Sequence, residues 1–189
     1  MSKINIFTRS ILFDFLKDET LDKEIINELK KHEKLNKKIR HSNEGGFHSE
    51  FIKNKYICDK ILYKAFKLVT DTYKIKNKTN FHLANLWINK NSKFHFNTSH
   101  VHPSSNFSGV YYLNVSKKDG ELVFLENDMY SMDDLHHFFD TDEFSSRCVI
   151  RPKKNMFLLF PSSFTHMVNP HYEDLDRISV SFNIRLKDG

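Results

Sequence analysis

The feature that most constrains the fold of this chain is a change in hydrophobic period near residue 79. Before it, apolar residues recur at helical spacing from Asp18 or Thr20 to about Glu33, and again over 55–75. After it, short segments alternate with period two, as strands do when successive side chains point to opposite faces of a sheet. Two helices followed by many closely spaced short strands predict an antiparallel, double-layered barrel that the helices support.

The expected domain organisation follows from the same pattern. No internal repeat or linker divides the 189 residues, so we expect a single domain over 1–189, with N-terminal strands and helices in 1–78 and the barrel in 79–189. One or two short strands are expected within 4–16, and Gly45-Gly46 marks a turn. The predicted barrel strands cover 79–89, 94–102, 107–114, 121–125, 147–151, 156–160 and 176–186. Residues 127–146 are acidic and aromatic without a period, which predicts either a cover over the substrate or an ordinary packed insertion.

Charge and cysteine content argue against several classes of protein. The net charge of +5 comes from residues 1–80, which carry 18 Lys or Arg against 11 Asp or Glu, in helical stretches where lysines normally solvate a face. Nucleic-acid binding is therefore not expected. Cys58 and Cys148 each have apolar neighbours and predict small core residues rather than a disulfide framework. Since no apolar run approaches membrane-spanning length and no signal-peptide core is visible, a cytoplasmic protein is expected.

Three histidines and one arginine supply the candidate site. His100 and His102 lie one residue apart in an extended segment, so their side chains point the same way and can offer a metal two adjacent ligands. His166 follows a predicted buried strand that ends in the turn Phe160-Pro161. Arg177 opens an alternating run that ends at Asn183. This constellation predicts a mononuclear iron site with an anchor for an acidic cosubstrate.

The arginine is the predicted anchor because a guanidinium on a half-buried strand must be paired. Its planar fork suits a carboxylate, and Ser179 projects on the same face of the strand. Tyr112 and Ser108 share a face of the strand 107–114, and the tyrosine hydroxyl can reach the same carboxylate. The alternative is a salt bridge from Arg177 to a nearby acid, namely Asp174 or Asp176.

The motifs occur in an order that resembles the iron(II)- and 2-oxoglutarate-dependent oxygenases, including prolyl hydroxylases, and in particular the members found in marine bacteria and phages. The matching segments are Gly45-Gly-Phe-His-Ser49, Trp87-Ile-Asn89, His100-Val-His102-Pro103, Ser108-Gly-Val-Tyr-Tyr-Leu113, Phe160-Pro161, His166 and Arg177-Ile-Ser-Val-Ser-Phe-Asn183. The resemblance covers nearly the whole chain. It implies a mainly β fold with flanking helices (α+β) and a double-stranded β-helix (jelly-roll, cupin-like) core.

The resemblance also implies a dioxygenase, in particular a hydroxylase, that uses Fe(II) and 2-oxoglutarate. His100 and His166 would be iron ligands, and Arg177 with Ser179 and Tyr112 would bind the distal carboxylate of 2-oxoglutarate. Ser108 and Asn183 complete the predicted cosubstrate set. The expected substrate is a small molecule or a protein side chain, in the cytoplasm or in a host cytoplasm if a phage encodes the chain. A homo-oligomer is compatible with the sequence, which does not determine the oligomeric state.

The chain departs from the wider superfamily at His102, where a carboxylate normally completes the iron ligands. If His102 binds instead, three neutral ligands leave Fe(II) with its full +2 charge. Glu121 or Asp128 could substitute, and His48, His136 and His137 are weaker candidates for which exposed side chains are expected. Two other functions remain open, a cosubstrate-free three-histidine dioxygenase and a non-catalytic jelly-roll that binds a metal or ligand.

Overall fold

Eleven strands and two helices make up the part of the chain that the computed structural model describes, namely residues 9–35, 39–75, 78–116, 118, 120–126 and 145–189. The helices are α1 (Glu19–Lys34) and α2 (Lys55–Thr72). The strands are β1 (Leu12–Phe15), β2 (Asn43–Glu44), β3 (Phe47–His48), β4 (Thr79–Asn91), β5 (Phe96–His100), β6 (Phe107–Asn114), β7 (Leu122–Leu125), β8 (Arg147–Ile150), β9 (Met156–Pro161), β10 (Thr165–Val168) and β11 (Arg177–Asp188).

These strands form two sheets in which every pair is antiparallel. The larger sheet has the order β1-β9-β6-β11-β4-β3, and the smaller has the order β2-β5-β10-β7-β8. Strands that are distant in sequence are neighbours in both sheets, so the chain crosses repeatedly between them. The predicted mainly β fold with two helices is confirmed.

Two apolar clusters explain how the helices and sheets pack. On β6, Tyr111 and Leu113 belong to the cluster that the larger sheet forms with both helices. The alternate residues Val110 and Tyr112 belong to a second cluster, shared with strands of the smaller sheet. Because successive side chains on a strand point to opposite faces, one strand serves both clusters. The helices therefore cover the outer face of the larger sheet, and its inner face is free to build a site.

Both helices begin where the sequence predicts. The Asp18 side chain accepts a hydrogen bond from the Leu21 backbone N–H at 3.0 Å and caps α1. Asn54 caps α2 by accepting from the backbone N–H groups of Tyr56 and Ile57. No helix in the described part of the chain is both long and apolar enough to span a membrane.

Several details differ from the sequence-based predictions. β5 ends at His100 rather than at His102, and β10 was not predicted at all. Cys148 is exposed on β8 rather than a core residue, because β8 is an edge strand of the smaller sheet. Of the predicted segments 4–16 and 127–146, residues 4–8 and 127–144 lie outside the described residues.

Candidate metal and cosubstrate site

The three candidate histidines converge where two interior strands of the smaller sheet, β5 and β10, meet at their ends. His100 ends β5, and His166 lies in β10 with its Cα directly opposite that of His100. His102 lies two residues beyond β5, directly before a turn at Pro103 and Ser104, and its backbone N–H donates a hydrogen bond to the Ser162 carbonyl at 3.0 Å. The three ring centroids are 4.3 to 5.1 Å apart. This hydrogen bond, rather than a continuous strand, therefore holds the third ring beside the other two.

One ring nitrogen from each histidine lies within 4.8 Å of the corresponding nitrogens of the other two. The Nδ1 atoms of His100 and His166 are hydrogen-bonded to the backbone carbonyls of Thr98 and Phe164, at 2.7 and 2.8 Å. Each bond makes Nδ1 the donor and leaves Nε2 with its lone pair, which is the usual arrangement of a metal-binding histidine. At His100 the Ser42 hydroxyl lies 3.5 Å from Nε2, at the limit of a hydrogen bond that a metal ion would replace. No hydrogen bond to the His102 ring occurs among the described residues. The donor set fits a divalent first-row metal ion such as iron.

The electrostatics of the cluster favour neutral imidazoles. Burial lowers the pKa of His166 to about 3, and repulsion from His100 contributes. Burial also lowers the pKa of His102 to about 4, again with a contribution from His100, and it lowers the pKa of His100. A metal ion binds the neutral form of the imidazole ring. Because these rings are already neutral near pH 7, metal binding does not have to displace a proton from them.

The carboxylates considered as alternatives to His102 have different surroundings. Glu121 pairs with Arg151 at 3.0 Å and accepts a hydrogen bond from Asn169 at 3.2 Å. It is not among the described groups that could hold a metal ion together. Asp128, His136 and His137 lie outside the described residues. Among the residues that are described, the candidate metal ligands are the three histidines.

A cavity of about 660 Å³ connects these histidines with the inner face of β11. Arg177, Ser179, Ser181, Asn183 and Arg185 all line it, in the alternation expected of one strand face. The row runs from Arg177, which is 4% exposed, to an exposed Arg185. It therefore extends from a buried end to the protein surface, in the cavity that the three histidines also line.

Arg177 has no acidic partner within the described part of the chain. Its guanidinium carbon lies 5.3 Å from the centroid of the Tyr112 ring, and its buried Nε lacks a hydrogen-bond partner there. The alternative salt bridge to Asp174 or Asp176 is wrong, since Asp174 pairs with Lys93 and Asp176 pairs with Lys90 and accepts a hydrogen bond from Ser92. Burial of a cation without an acidic partner costs free energy, so the Arg177 guanidinium is suited to bind an anionic ligand in the cavity.

The other predicted cosubstrate residues divide into two groups. Ser179 and Tyr112 are opposite each other on β11 and β6, line the cavity, and are buried. Asn183 also lines the cavity, but its amide oxygen accepts from Ser108 Oγ at 2.7 Å and its amide nitrogen donates to Asn85 at 2.7 Å. Ser108 lies behind this pair, beside Ser162 at 2.8 Å. Ser108 is therefore placed to orient Asn183 rather than to face the cavity.

An aromatic wall, made of Trp87 and His48, flanks the metal ligands. The two rings stack with centroids 5.3 Å apart and planes 11° apart, and Trp87 lies 5.8 Å from the His102 ring. The expectation that His48 is exposed is wrong, since it is only 4% exposed and its Nδ1 is hydrogen-bonded to the Ser49 carbonyl. Burial lowers the pKa of His48 to about 4.

Sequence reasoning did not assign a role to most of the polar residues along β4. Asn85, Asn89 and Asn91 line the cavity with Trp87. A signal for them was present, because polar side chains at every second position of an otherwise apolar strand indicate a face turned toward a cavity.

Comparison with known proteins agrees with this geometry. Residues 85–183 match a family model described as "Putative 2OG-Fe(II) oxygenase". These residues include all three histidines and Arg177. No curated protein matches the chain by sequence.

Solved structures with a similar fold include two prolyl hydroxylases. A Pseudomonas putida prolyl-4-hydroxylase has a TM-score of 0.62 at 15% identity, over 94% of this chain and 93% of its own. A Trichoplax adhaerens prolyl hydroxylase in complex with a hypoxia inducible factor peptide has a TM-score of 0.62 at 13% identity, over 94% and 84%. HygX from Streptomyces hygroscopicus, with nickel, 2-oxoglutarate and hygromycin B bound, has a TM-score of 0.58 at 9% identity, over 94% and 83%. These similarities confirm the predicted double-stranded β-helix.

Proposed function

The chain belongs to the family of 2-oxoglutarate- and iron(II)-dependent oxygenases, and from that premise we propose that His100, His102 and His166 hold Fe(II) while Arg177 binds the distal carboxylate of 2-oxoglutarate. The observation that carries the proposal is the shared cavity, which joins a cluster of three neutral imidazoles to a buried guanidinium without an acidic partner among the described residues. A dicarboxylate that chelates a metal at one end needs a cation at the other.

The proposed reaction is hydroxylation of a C–H bond. When bound, Fe(II) supplies the activation of O2, by which 2-oxoglutarate is converted to succinate and CO2 and the second oxygen atom enters the substrate. The protein's own residues bind and orient the reactants. Ser179 and Tyr112 extend the anchor around Arg177, and Asn183, which Ser108 holds in place, lines the path toward the opening. Trp87, which stacks on His48, lies against one side of the His102 ring.

The third proposed ligand, His102, gives the site an unusual charge. With three neutral ligands the ion keeps a +2 charge, whereas a carboxylate would reduce it to +1. The pKa values of His102 and His166, lowered to about 4 and about 3, support neutral ligands. The higher charge would stabilise a bound dicarboxylate and would make the iron harder to oxidise.

For the substrate, we propose a small molecule or the side chain of a polypeptide that enters at the exposed end of the cavity. Similar structures include one with a peptide and one with hygromycin B, and the cavity of about 660 Å³ is of a size that accepts either. The expected cytoplasmic location stays a prediction, and a homo-oligomer stays an arrangement with which the sequence is compatible.

Anaerobic titration tests the function directly. Adding 2-oxoglutarate to the Fe(II)-loaded protein should produce the visible charge-transfer band of the chelate, with saturation at one equivalent per chain. Oxygen uptake and succinate formation should then both depend on 2-oxoglutarate. A protein that binds Fe(II) but gives no such band and no 2-oxoglutarate-dependent oxygen uptake would be a binding protein or a cosubstrate-free dioxygenase instead.

His102→Ala should weaken Fe(II) binding by at least about 10-fold, because one of three ligands is lost. His102→Asp should recover most of the loss by restoring a two-histidine, one-carboxylate set. Calorimetric titration with Fe(II) under anaerobic conditions measures both effects, and His82→Ala, at an exposed position on β4, is the matched control. A His102→Ala protein with parental metal affinity and turnover would show that the third ligand is another group.

A further inference from the structure

Two buried nitrogen donors at the inner end of the cavity have no hydrogen-bond partner among the described residues. They are Nε of Arg177 and Nδ2 of Asn91, whose side chains are 4% and 3% exposed. Arg177 has a role in the proposed function, but Asn91 has none. A buried amide without a partner costs free energy, so its position in a ligand cavity needs an explanation.

Asn91 and Arg177 are direct neighbours. Their Cα atoms are partners in the antiparallel pairing of β4 with β11, and both side chains line the same cavity. Cβ atoms of such cross-strand pairs lie about 4.5–5.5 Å apart. One ligand group at this end of the cavity can therefore accept hydrogen bonds from both side chains.

The other asparagines of the cavity behave differently. Asn89 donates to Ser181 at 2.9 Å, Asn183 donates to Asn85 at 2.7 Å, and Asn97 donates to Ser42 at 3.2 Å. Their amides are used to hold the cavity wall together. Unlike these amides, the Asn91 amide nitrogen has no hydrogen-bond partner among the described residues. Asn91 is also the residue of β4 whose Cα pairs with that of Arg177.

We infer that Asn91 is a further binding residue for the distal carboxylate of 2-oxoglutarate, beside Arg177, and that it contributes to the selection of a dicarboxylic 2-oxo acid. A carboxylate has about four lone-pair sites, and the guanidinium fork occupies two of them. The Asn91 amide adds a donor without adding a second buried charge. This inference rests on the proposed function, since it assigns a residue to the same cosubstrate.

The test compares 2-oxoglutarate with 2-oxopentanoate, which keeps the chelating end but carries a methyl group in place of the distal carboxylate. Binding of each to the anaerobic Fe(II) protein is measured by calorimetry for the parent, Asn91→Ala and Asn91→Asp. We expect Asn91→Ala to raise the Kd for 2-oxoglutarate by about 10-fold, as for loss of a hydrogen bond to a charged group. Asn91→Asp keeps the shape of the side chain but pairs with Arg177 and competes with the ligand, so its effect should be at least as large.

The Kd for 2-oxopentanoate should change by less than about 2-fold in Asn91→Ala, because this ligand has no distal carboxylate for the amide to contact. Equal weakening of both ligands would mean that Asn91 only supports the cavity, and would overturn the inference. Asn80→Ala, at an exposed position on the same strand, is the matched control and should change neither value.

The same measurements separate this inference from the proposed function. If Arg177→Ala weakens binding of 2-oxoglutarate while Asn91→Ala and Asn91→Asp do not, the proposed function stands and the role of Asn91 is overturned. If the parent protein does not bind 2-oxoglutarate, both are overturned.

Discussion

His100→Ala and His166→Ala should each abolish stoichiometric Fe(II) binding and leave the fold intact. Each substitution removes an imidazole that a backbone carbonyl already orients, at 2.7 Å for His100 and 2.8 Å for His166. Each variant keeps only two of the three ring nitrogens that lie close enough together to hold a metal ion. Because the two apolar clusters keep all their hydrophobic residues in either variant, the far-UV circular dichroism should not change.

Metal content after anaerobic loading and desalting measures this effect, and His82→Ala should keep the parental iron content. His166 also contacts the rings of Phe124 and Phe160, with centroids 5.8 and 5.0 Å away, so truncation to alanine removes packing as well as a ligand. His166→Gln restores most of the side-chain volume without an imidazole and should still lose the metal. Full iron occupancy in a folded variant of either histidine would exclude that residue as a ligand.

The fold was largely predictable because hydrophobic period and helix caps are local signals. Asp18 caps α1 as expected, and the alternation along β4, β6 and β11 predicted their positions to within about three residues. β10 was missed because its four residues, Thr165–Val168, are too few to show a period. Its strand state depends on pairing with β5 and β7, which no local pattern encodes.

The candidate site was predictable in its residues but not in its geometry. His100 and His102 were expected to share one face of a single strand, but β5 ends at His100, and Ser104 has a left-handed φ of 66° in the following turn. The rings converge because hydrogen bonds to the segment around Ser162 fix that turn. His100 and His166 are distant in sequence, so no local pattern encodes the pairing of their strands. The set of histidines and the family resemblance both indicated a shared site, but neither gave this register.

The lack of a partner for Asn91 could not be predicted either. Its inward position follows from the alternation of β4, but whether an amide is satisfied depends on side chains from other strands. For Arg177 the sequence predicted a carboxylate ligand, with a salt bridge to Asp174 or Asp176 as the alternative. In the structure Asp174 pairs with Lys93 and Asp176 pairs with Lys90, whereas Arg177 lines the cavity.

Arg177→Ala should produce the largest loss of cosubstrate affinity of any substitution outside the metal ligands. A dicarboxylate bound to the metal at one end must place its other carboxylate toward the buried end of the cavity, where Arg177 is 4% exposed. Hydrogen bonds to charged groups contribute about 1.5–3 kcal/mol each and are not additive, so a bidentate contact is worth about 2–4 kcal/mol. At about 1.4 kcal/mol per factor of ten, the Kd for 2-oxoglutarate should rise by about 30-fold to nearly 1000-fold.

The variants of Arg177 also separate its role from that of the metal ligands. Fe(II) affinity should hardly change in Arg177→Ala, because the guanidinium is not one of the candidate metal ligands. Arg177→Lys keeps the charge but not the fork and should recover part of the loss, whereas Lys187→Ala, which removes a charge from an exposed position of the same strand, should leave the Kd unchanged. Anaerobic calorimetry with 2-oxoglutarate measures all three. An Arg177→Ala protein that binds 2-oxoglutarate as tightly as the parent would show that the distal carboxylate lies elsewhere, and the buried guanidinium would then be free to bind a carboxylate of the substrate.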